Sequence, residues 1–546
     1  MKDLIDDCKK AELHLTQTIQ SCGVLIAINR NTGAIIAYSE NINEILDLNR
    51  EQLIGQSWQN IFEPSTFSFE TFSTDTEDGI AMFSQCLLNG RQFNFACHNN
   101  QDVLFVEIEL TTGEQTCNHH EELVFINSLS ATNSPEAAAS LLMQQIAVIS
   151  DYERVMLYKF MPDWHGRVIA EKNKPGIEGF LDLRFPAGDI PANARRLYTL
   201  NSQRIIIDTA SPEVKLVSSK DAPPLDLTYS QLRSVHPVHN LNNMGVRASF
   251  SVSIIVDNKL WGMIACHQLS KPKHLSIVNR IVCEKLSRIS ALHISGLLTV
   301  DKEMRRTSYF IVRDAIENEL KTEYLEKVIE SHAEQLCSVF SADGLWLNTD
   351  AKEVLYGDML KTEERPALSS WLASLDQNVV YHTNVIASEL ESASSLVQFA
   401  SGLLYLPLAN NGFLLFSRNE YRENVKWAGK PVSEDKDNTE KELTPRKSFK
   451  IWSETVYGQS PYWRDVELSM ANLLQQSLLT QIEIGELEGK ALRDELTRLG
   501  NRSYFNQELE RIIKESNTEH TSASLFLLDL DKFKPEPDKR KNIRNT

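Results

Sequence analysis

Between about residues 20 and 125, apolar and polar positions alternate in GVLIAIN, GAIIAYS, FNFACH and VLFVEIEL, with the polar turns RNTG and NGRQ between runs. A period of two over such lengths predicts strands. ENINEILDL and REQLIGQSW read as short helices, so this stretch predicts a small α+β domain. A helix, PEAAASLLMQQIAVISDY, opens a second unit with strands RVMLYKF, GRVIAEK, RIIIDT, ASFSVSIIV and KLWGMIACHQ. The last two are joined by DNK, which suits a hairpin. Residues 208–235 are a polar connection long enough to predict a functional loop.

From 270 to about 335 the period becomes helical, in IVNRIVCEKLSRISALHISGLL and DAIENELKTEYLEKVIESH, and predicts an extended spine. A third α+β unit covers 336–465, where LLFSRNEYRENVKWAGKPV and PRKSFKIWSETV read as two arms of a hairpin. Between them SEDKDNTEKELT is charged and aperiodic, as a solvated tip would be. Val466, Met470, Leu473, Leu474, Ile482, Ile484 and Leu487 recur at roughly helical spacing and predict an amphipathic coiled-coil connector. A fourth unit opens at LRDELTRLGNRSYF and reaches the strand SLFLLDLDKF before the polar tail KPEPDKRKNIRNT. The expected class is multidomain α+β, antiparallel sheets joined by long helices. Its expected segments are 1–127, 128–305, 306–465 with a hairpin at about 417–452, 466–493 and 494–546.

A chain of 546 residues exceeds one core, in keeping with about three to five domains. The net charge of −18 argues against non-specific binding to nucleic acid or to an anionic membrane. The N-terminus MKDLIDDCKK lacks a signal peptide's apolar core, and no apolar run is long enough to span a bilayer. Eight cysteines without a CxxC pair predict reduced thiols in a cytoplasmic protein rather than disulfides or a zinc site.

The candidate chemistry centres on FPAGDIPANARRLY, where Pro186 and Pro191 restrict the backbone around Asp189 and Gly188 frees it. Read locally, Asp189 caps the helix ANARRLY; with other motifs around it, it is a carboxylate held in place by a loop. FPAGDIPANARRLY, LRSVHPVHNLNNMGVRASFSVSI and WGMIACHQ together resemble the bilin-binding GAF domain of phytochromes. DWHGRVIAE, WAGKP, PRKSF and WSE resemble the phytochrome-specific PHY domain and its tongue hairpin. The resemblance covers about residues 1–465, in the PAS, GAF, PHY order of a bacterial phytochrome.

This resemblance implies biliverdin, a linear tetrapyrrole, as cofactor. Arg204 and Arg233 would hold its propionates, with hydroxyl contacts from Ser249 and Ser251. His239 would lie against the central rings, the Asp189–Ile190 backbone would meet the pyrrole N–H groups, and His267 would bond the D-ring carbonyl. Tyr158 and Tyr198 would wall the space in which that ring turns. In the tongue, Arg446 would pair with the Asp189 carboxylate, with Ser448 and Trp452 as further signalling residues. Gly188 stands where the family has serine. Aligning IQSCG with the family's IQPHG puts Cys8 at the covalent attachment position. The segment between lacks the family's proline and glycine, and Cys22 replaces a histidine, as a small core residue or a rival nucleophile.

DELTRLGNRSYF and FLLDLDKF resemble the opening of a GGDEF diguanylate cyclase domain, in which Asp529 and the Leu530 carbonyl would hold magnesium. No GGDEF or GGEEF hairpin follows, and the reading is a truncated output that does not cyclise GTP. The expected protein is therefore a red/far-red photoreceptor working as a homodimer through its long helices. The alternatives are a non-photochemical scaffold or heterodimer partner, and a light-regulated cyclase using GTP and magnesium if the natural chain continues.

Overall fold

The structure, a computed structural model, describes residues 14–48, 53–60, 82–88, 91–110, 119–219, 222–234, 239–358, 365–390, 400–421, 423–428, 451–492 and most of 494–528. The first unit contains β1 (Thr18–Gln20), β2 (Gly23–Asn29), β3 (Ile35–Ser39), α1 (Ile42–Leu46), β4 (Met82–Leu88), β5 (Arg91–Asn100) and β6 (Val103–Leu110). Helices α2 (His119–Ser130) and α3 (Pro135–Ser150) lead to β7 (Arg154–Phe160), β8 (Gly166–Asn173), β9 (Leu183–Phe185) and α4 (Ala192–Leu200). The second unit continues with β10 (Gln203–Ile206), β11 (Glu213–Ser218), α5 (His239–Asn243), β12 (Ala248–Val256) and β13 (Lys259–Gln268).

Helices α6 (Ile277–Glu319) and α7 (Leu325–Val339) open the third unit. Its strands and helix are β14 (Gly344–Asn348), β15 (Glu353–Gly357), α8 (Arg365–Leu372), β16 (Tyr381–Thr383), β17 (Gly402–Pro407), β18 (Phe413–Arg418), β19 (Glu423–Ala428) and β20 (Ile451–Val456). Two further helices, α9 (Asp465–Ala491) and α10 (Arg502–Glu519), follow.

The expected strands of the first two units all form. At the expected DNK turn Val256 pairs with Lys259, and Asp257 and Asn258 take φ of 50° and 60°. Two consecutive positive φ angles make the two-residue turn whose twist suits a hairpin. Helix α3 starts where Ser134 Oγ accepts the Ala137 N–H at 3.2 Å, with Pro135 in the first turn. REQLIGQSW does not form the expected helix through its described part: Gly55 takes φ of 85°, and a single 3-10 turn, Trp58–Asn60, follows.

The polar connection before α5 has a structural task. Its strand β11 leaves the second unit and inserts between β1 and β3, in a seven-stranded sheet ordered β1-β11-β3-β2-β6-β5-β4. Thr18 pairs with Lys215, and Leu216 with Ser39. On the opposite edge, Gln17 Nε2 donates to the Leu225 carbonyl at 2.7 Å and Gln20 N to the Leu232 carbonyl at 2.8 Å. The segment 17–20 is thus clasped from both sides.

The second sheet has eight strands, β10-β12-β13-β7-β8-β9-β19-β20, and its last two belong to the third unit's hairpin. One face is covered by α3 and α6: Val155, Leu157, Phe250, Val252, Ile254 and Ile264 bury against Leu142, Ile146, Cys283 and Leu286. Each such side chain contributes about 1.5–3 kcal/mol on burial, which fixes which face is left for a ligand. Helix α6, at 1.5 Å per residue about 65 Å long, continues into the third core, where Tyr309 and Ile316 are buried. Met470, Ala471, Leu474 and Leu478 of α9 join that core. The first half of the expected coiled-coil connector therefore packs on its own domain, whereas Leu473, Ile484 and Leu487 are exposed.

Candidate functional site

Strand alternation builds the site. With Val155, Leu157, Ile205, Phe250, Val252, Ile264 and Cys266 committed to the helical layer, their neighbours point to the other face. Register then sorts them into rows. Arg204 stands opposite Ser251, Ser251 opposite Ala265 and Ala265 opposite Met156. In the next row Ile206, Ser249, His267 and Arg154 follow one another across four strands. Met263 pairs with Tyr158 beyond. The face is polar and cationic at the β10–β12 end and aromatic at the β7–β8 end.

At the cationic end, Arg204 and Arg233 are both 8% exposed. Arg204 Nη2 donates to the Arg233 carbonyl oxygen, and Arg204 Nη1 has no hydrogen-bond partner among the described residues. Burial, and then the charge of Arg233, hold the Arg204 pKa well below its ordinary value; burial lowers Arg233 as well. Two adjacent buried guanidiniums are a receptor for carboxylates. Tyr198 of α4 lies within electrostatic reach of both and packs, half-buried, against the Tyr158 cluster.

His267 is buried, and its Nδ1 accepts from Arg154 Nη2 at 3.2 Å. Arginine only donates, so the ring proton resides on Nε2. Burial, then the Arg154 charge, push the His267 pKa down to about 3, so the ring is a neutral N–H donor at any physiological pH. Arg154 itself is fixed by the Glu178 carbonyl at 3.2 Å and by the Phe180 ring, 3.9 Å from its guanidinium carbon.

The aromatic end holds Tyr158, edge-on to Phe160 with centroids 5.1 Å apart and 5.7 Å from Phe185. Gly166 makes room for it, since a Cβ there would stand 1.6 Å from Tyr158 Cζ. Ile190 and Met244 pack against the same cluster.

Asp189 does not cap the helix. It ends the 3-10 turn Ala187–Asp189, and α4 starts at Ala192 after Pro191, without a side-chain cap. Arg195 fixes the loop, its Nη1 donating to the Ile190 carbonyl at 2.6 Å and the Ala187 carbonyl at 3.2 Å, with its guanidinium over Trp164. The hairpin reaches this loop through the strand before it: β19 runs parallel to β9, pairing Lys426 with Leu183 and Trp427 with Arg184. Trp427 faces Trp452 across the hairpin and the His165 ring 5.0 Å away, and Ala428 is buried in the Tyr158 cluster.

His239 opens α5. Cys8, Arg446, Ser448, Asp529 and Leu530 lie outside the described residues. Cys22 borders a cleft of about 340 Å³ with Gln20, Ile206 and Ser234. Burial and the Glu109 charge push its thiol far up, which makes it a poor nucleophile. Sequence reasoning passed over Arg154 and the buried Glu107 and Glu109 of β6. The available signal was charge inside otherwise apolar strands, RVMLYKF and VLFVEIEL.

Family models match in the same order: a PAS fold over 8–111, a GAF domain over 134–291, the phytochrome region over 311–485 and a diguanylate cyclase GGDEF domain over 491–539. The chain carries the phytochrome region behind a PAS fold and a GAF domain. It is 30% identical to cyanobacterial phytochrome A of Nostoc sp., the alignment covering 87% of this chain and 65% of that protein, so it spans under two thirds of that relative's length. It is 28% identical to a bacteriophytochrome of Xanthomonas campestris, covering 91% of this chain and 80% of that one. The crystal structure of bacteriophytochrome RpBphP3 from R. palustris superposes with a TM-score of 0.73 at 27% identity, over 88% of this chain and 99% of that one. The Stigmatella aurantiaca phytochrome photosensory core module gives 0.71, also at 27%. No helix among the described residues is long and apolar enough to cross a membrane.

Proposed function

We propose that this chain is a phytochrome, a red/far-red photosensor that holds a linear tetrapyrrole, biliverdin, in the tongue-covered cleft. The observation that carries the reading is the Arg204–Arg233 pair, buried without a carboxylate ion pair to Arg204 among the described residues, on one face with Ser249, Ser251, His267 and Tyr158. A bilin has two propionates, a long apolar face and a terminal lactam carbonyl. The guanidiniums suit the first, the Met156–Tyr158–Met263 wall the second, and the His267 Nε2–H the third.

When bound, the bilin supplies a double bond that isomerises on absorbing light. In this reading Arg204 and Arg233 hold its propionate end still while Tyr158 bounds the ring that turns. Asp189, five residues beyond the Arg184–Trp427 pairing, would feel the change through β9 and through Arg446. The tongue would pass it to β18 and α9, and the segment resembling a cyclase would receive it. On α6 Val300, Met304 and Ile311 are exposed on one side of the helix, which supports a parallel homodimer as the working assembly. Cys8 is the proposed thioether site.

The test is to add biliverdin to the purified chain and record absorption under alternating red and far-red light, with zinc-enhanced fluorescence on a denaturing gel. Reversible bands, with fluorescence lost in Cys8→Ala, are expected. Photocycling without covalent fluorescence would remove Cys8 as the anchor, and no pigment uptake would leave the scaffold reading. GTP turnover by the same chain would establish an active cyclase output.

A further inference from the structure

Glu107 lies on β6 of the PAS domain, 1% exposed, outside the cleft that would hold a ligand. Both of its carboxylate oxygens accept the Gln231 backbone N–H, at 3.0 and 3.1 Å. The Ser230 hydroxyl bonds the same carboxylate, and Ser230 Oγ in turn accepts the Arg233 N–H at 3.0 Å. Its neighbour Glu109 is taken up elsewhere, by Arg280 Nη2 and His274 Nε2, each at 2.7 Å. The turn 230–233 is also stitched to the clasped segment, where Ser234 N donates to the Thr18 carbonyl at 3.1 Å, and to the end of α4 through Gln231 Nε2 and Asn201 Oδ1 at 2.8 Å. Because Arg204 Nη2 donates to the Arg233 carbonyl, this one turn sets both guanidiniums. A shift of the turn moves the Arg233 side chain and removes the acceptor that orients Arg204.

We propose that Glu107 is a positioning residue: from the PAS sheet, through Gln231 and Ser230, it holds the two arginines of the GAF cleft in the spacing that a dicarboxylate ligand needs. The inference rests on the bilin reading above. A carboxylate that served only to close the domain seam would affect the binding of any pigment equally. A positioning role affects only the part of binding that depends on ligand carboxylates.

The experiment compares biliverdin with its dimethyl ester by absorption titration of the full chain in a Cys8→Ala background, so that no thioether obscures the equilibrium. The chain with Glu107 intact should prefer the diacid by at least about tenfold, as expected for charge-assisted hydrogen bonds. Glu107→Ala and Ser230→Ala should reduce that preference to within about threefold, while Glu107→Gln, which keeps an acceptor for Gln231, should retain most of it. Ser230→Ala guards against a Glu107→Ala chain that does not fold. Equal weakening of both pigments, with the preference intact, would overturn the positioning role and leave the bilin reading standing. Failure of the Glu107-intact chain to take up either pigment would overturn both.

Discussion

At the scale of single residues, the cleft depends on contacts that tolerate no added atom. Tyr158 occupies the space over Gly166, and the strand bulges beside it, between Leu157 and Tyr158. Gly166→Ala forces the ring or the strand to move, at a cost of about 1–3 kcal/mol by the usual scale of overpacking. Thermal unfolding should register that loss, and the absorption of the pigment-loaded chain should shift with the displaced ring. Combined with Tyr158→Ala, the same substitution should cost almost nothing. Simple additivity of the two changes would show that the ring is not what Gly166 accommodates. His267 is the complementary case, a ring kept neutral and in one tautomer by Arg154.

Among the elements, the hairpin β19–β20 matters most, because it completes the second unit's sheet while belonging to the third. Its attachment is short, two paired positions against β9, so side chains must reinforce it. Ala428 is fully buried with Tyr158, Phe160 and Phe180, and Trp427 is buried against His165. Ala428→Lys places an ammonium in that cluster and should release β19 from β9. Hydrogen exchange at the β9–β19 amides should then accelerate while amides of β12 and β13 keep their protection; unchanged exchange at β19 would show that the docking does not depend on Ala428. The base of the hairpin is held independently. Arg418 Nη2 meets Glu467 Oε2 at 2.8 Å, and its Nη1 meets the Tyr462 carbonyl at 2.8 Å, joining the strand that leaves for the hairpin to the chain that returns from it.

For the whole molecule, the PAS–GAF seam holds two buried carboxylates with opposite responses to pH. Burial opposes the Glu109 charge, but Arg280 and His274 outweigh it and hold its pKa at about 2. Its contribution is therefore present above the unfolded value of about 4.3 and lost as pH falls toward 2. Burial pushes Glu107 up to about 7, with Glu109 adding to the rise. An acid raised on folding favours the protonated native state, so the wild type loses stability through Glu107 as pH climbs from about 4.3 toward 7. Glu107→Gln cannot ionise. It should match the wild type near pH 4.5 and exceed it at pH 8 by about 1–3 kcal/mol, as read from paired thermal melts. A difference that stays constant across this range would mean that Glu107 is ionised throughout.

Much of this was legible in the letters. Alternation in ASFSVSIIV put Ser249 and Ser251 on one face of their strand, while Arg204 and His267 joined them as one set through the resemblance to a bilin-binding GAF domain. Periodicity likewise located the long helix and the hairpin arms, because local geometry follows from the positions of apolar side chains. What lies far apart in sequence did not show. EVKLVS looked like part of a loop because its ladder partners, in β1 and β3, lie about two hundred residues earlier. Asp189 read locally as a cap, and only the start of α4 at Ala192 excluded it. Glu107 read as a strand residue among others, since nothing local announces that its carboxylate will close on Gln231 of another domain. The sequence by itself determined the elements and their faces, which depend on spacing of a few residues. The tertiary structure decided the clasp, the docked β19–β20 hairpin and the seam behind the arginines, because each needs backbone and charge from distant segments to meet.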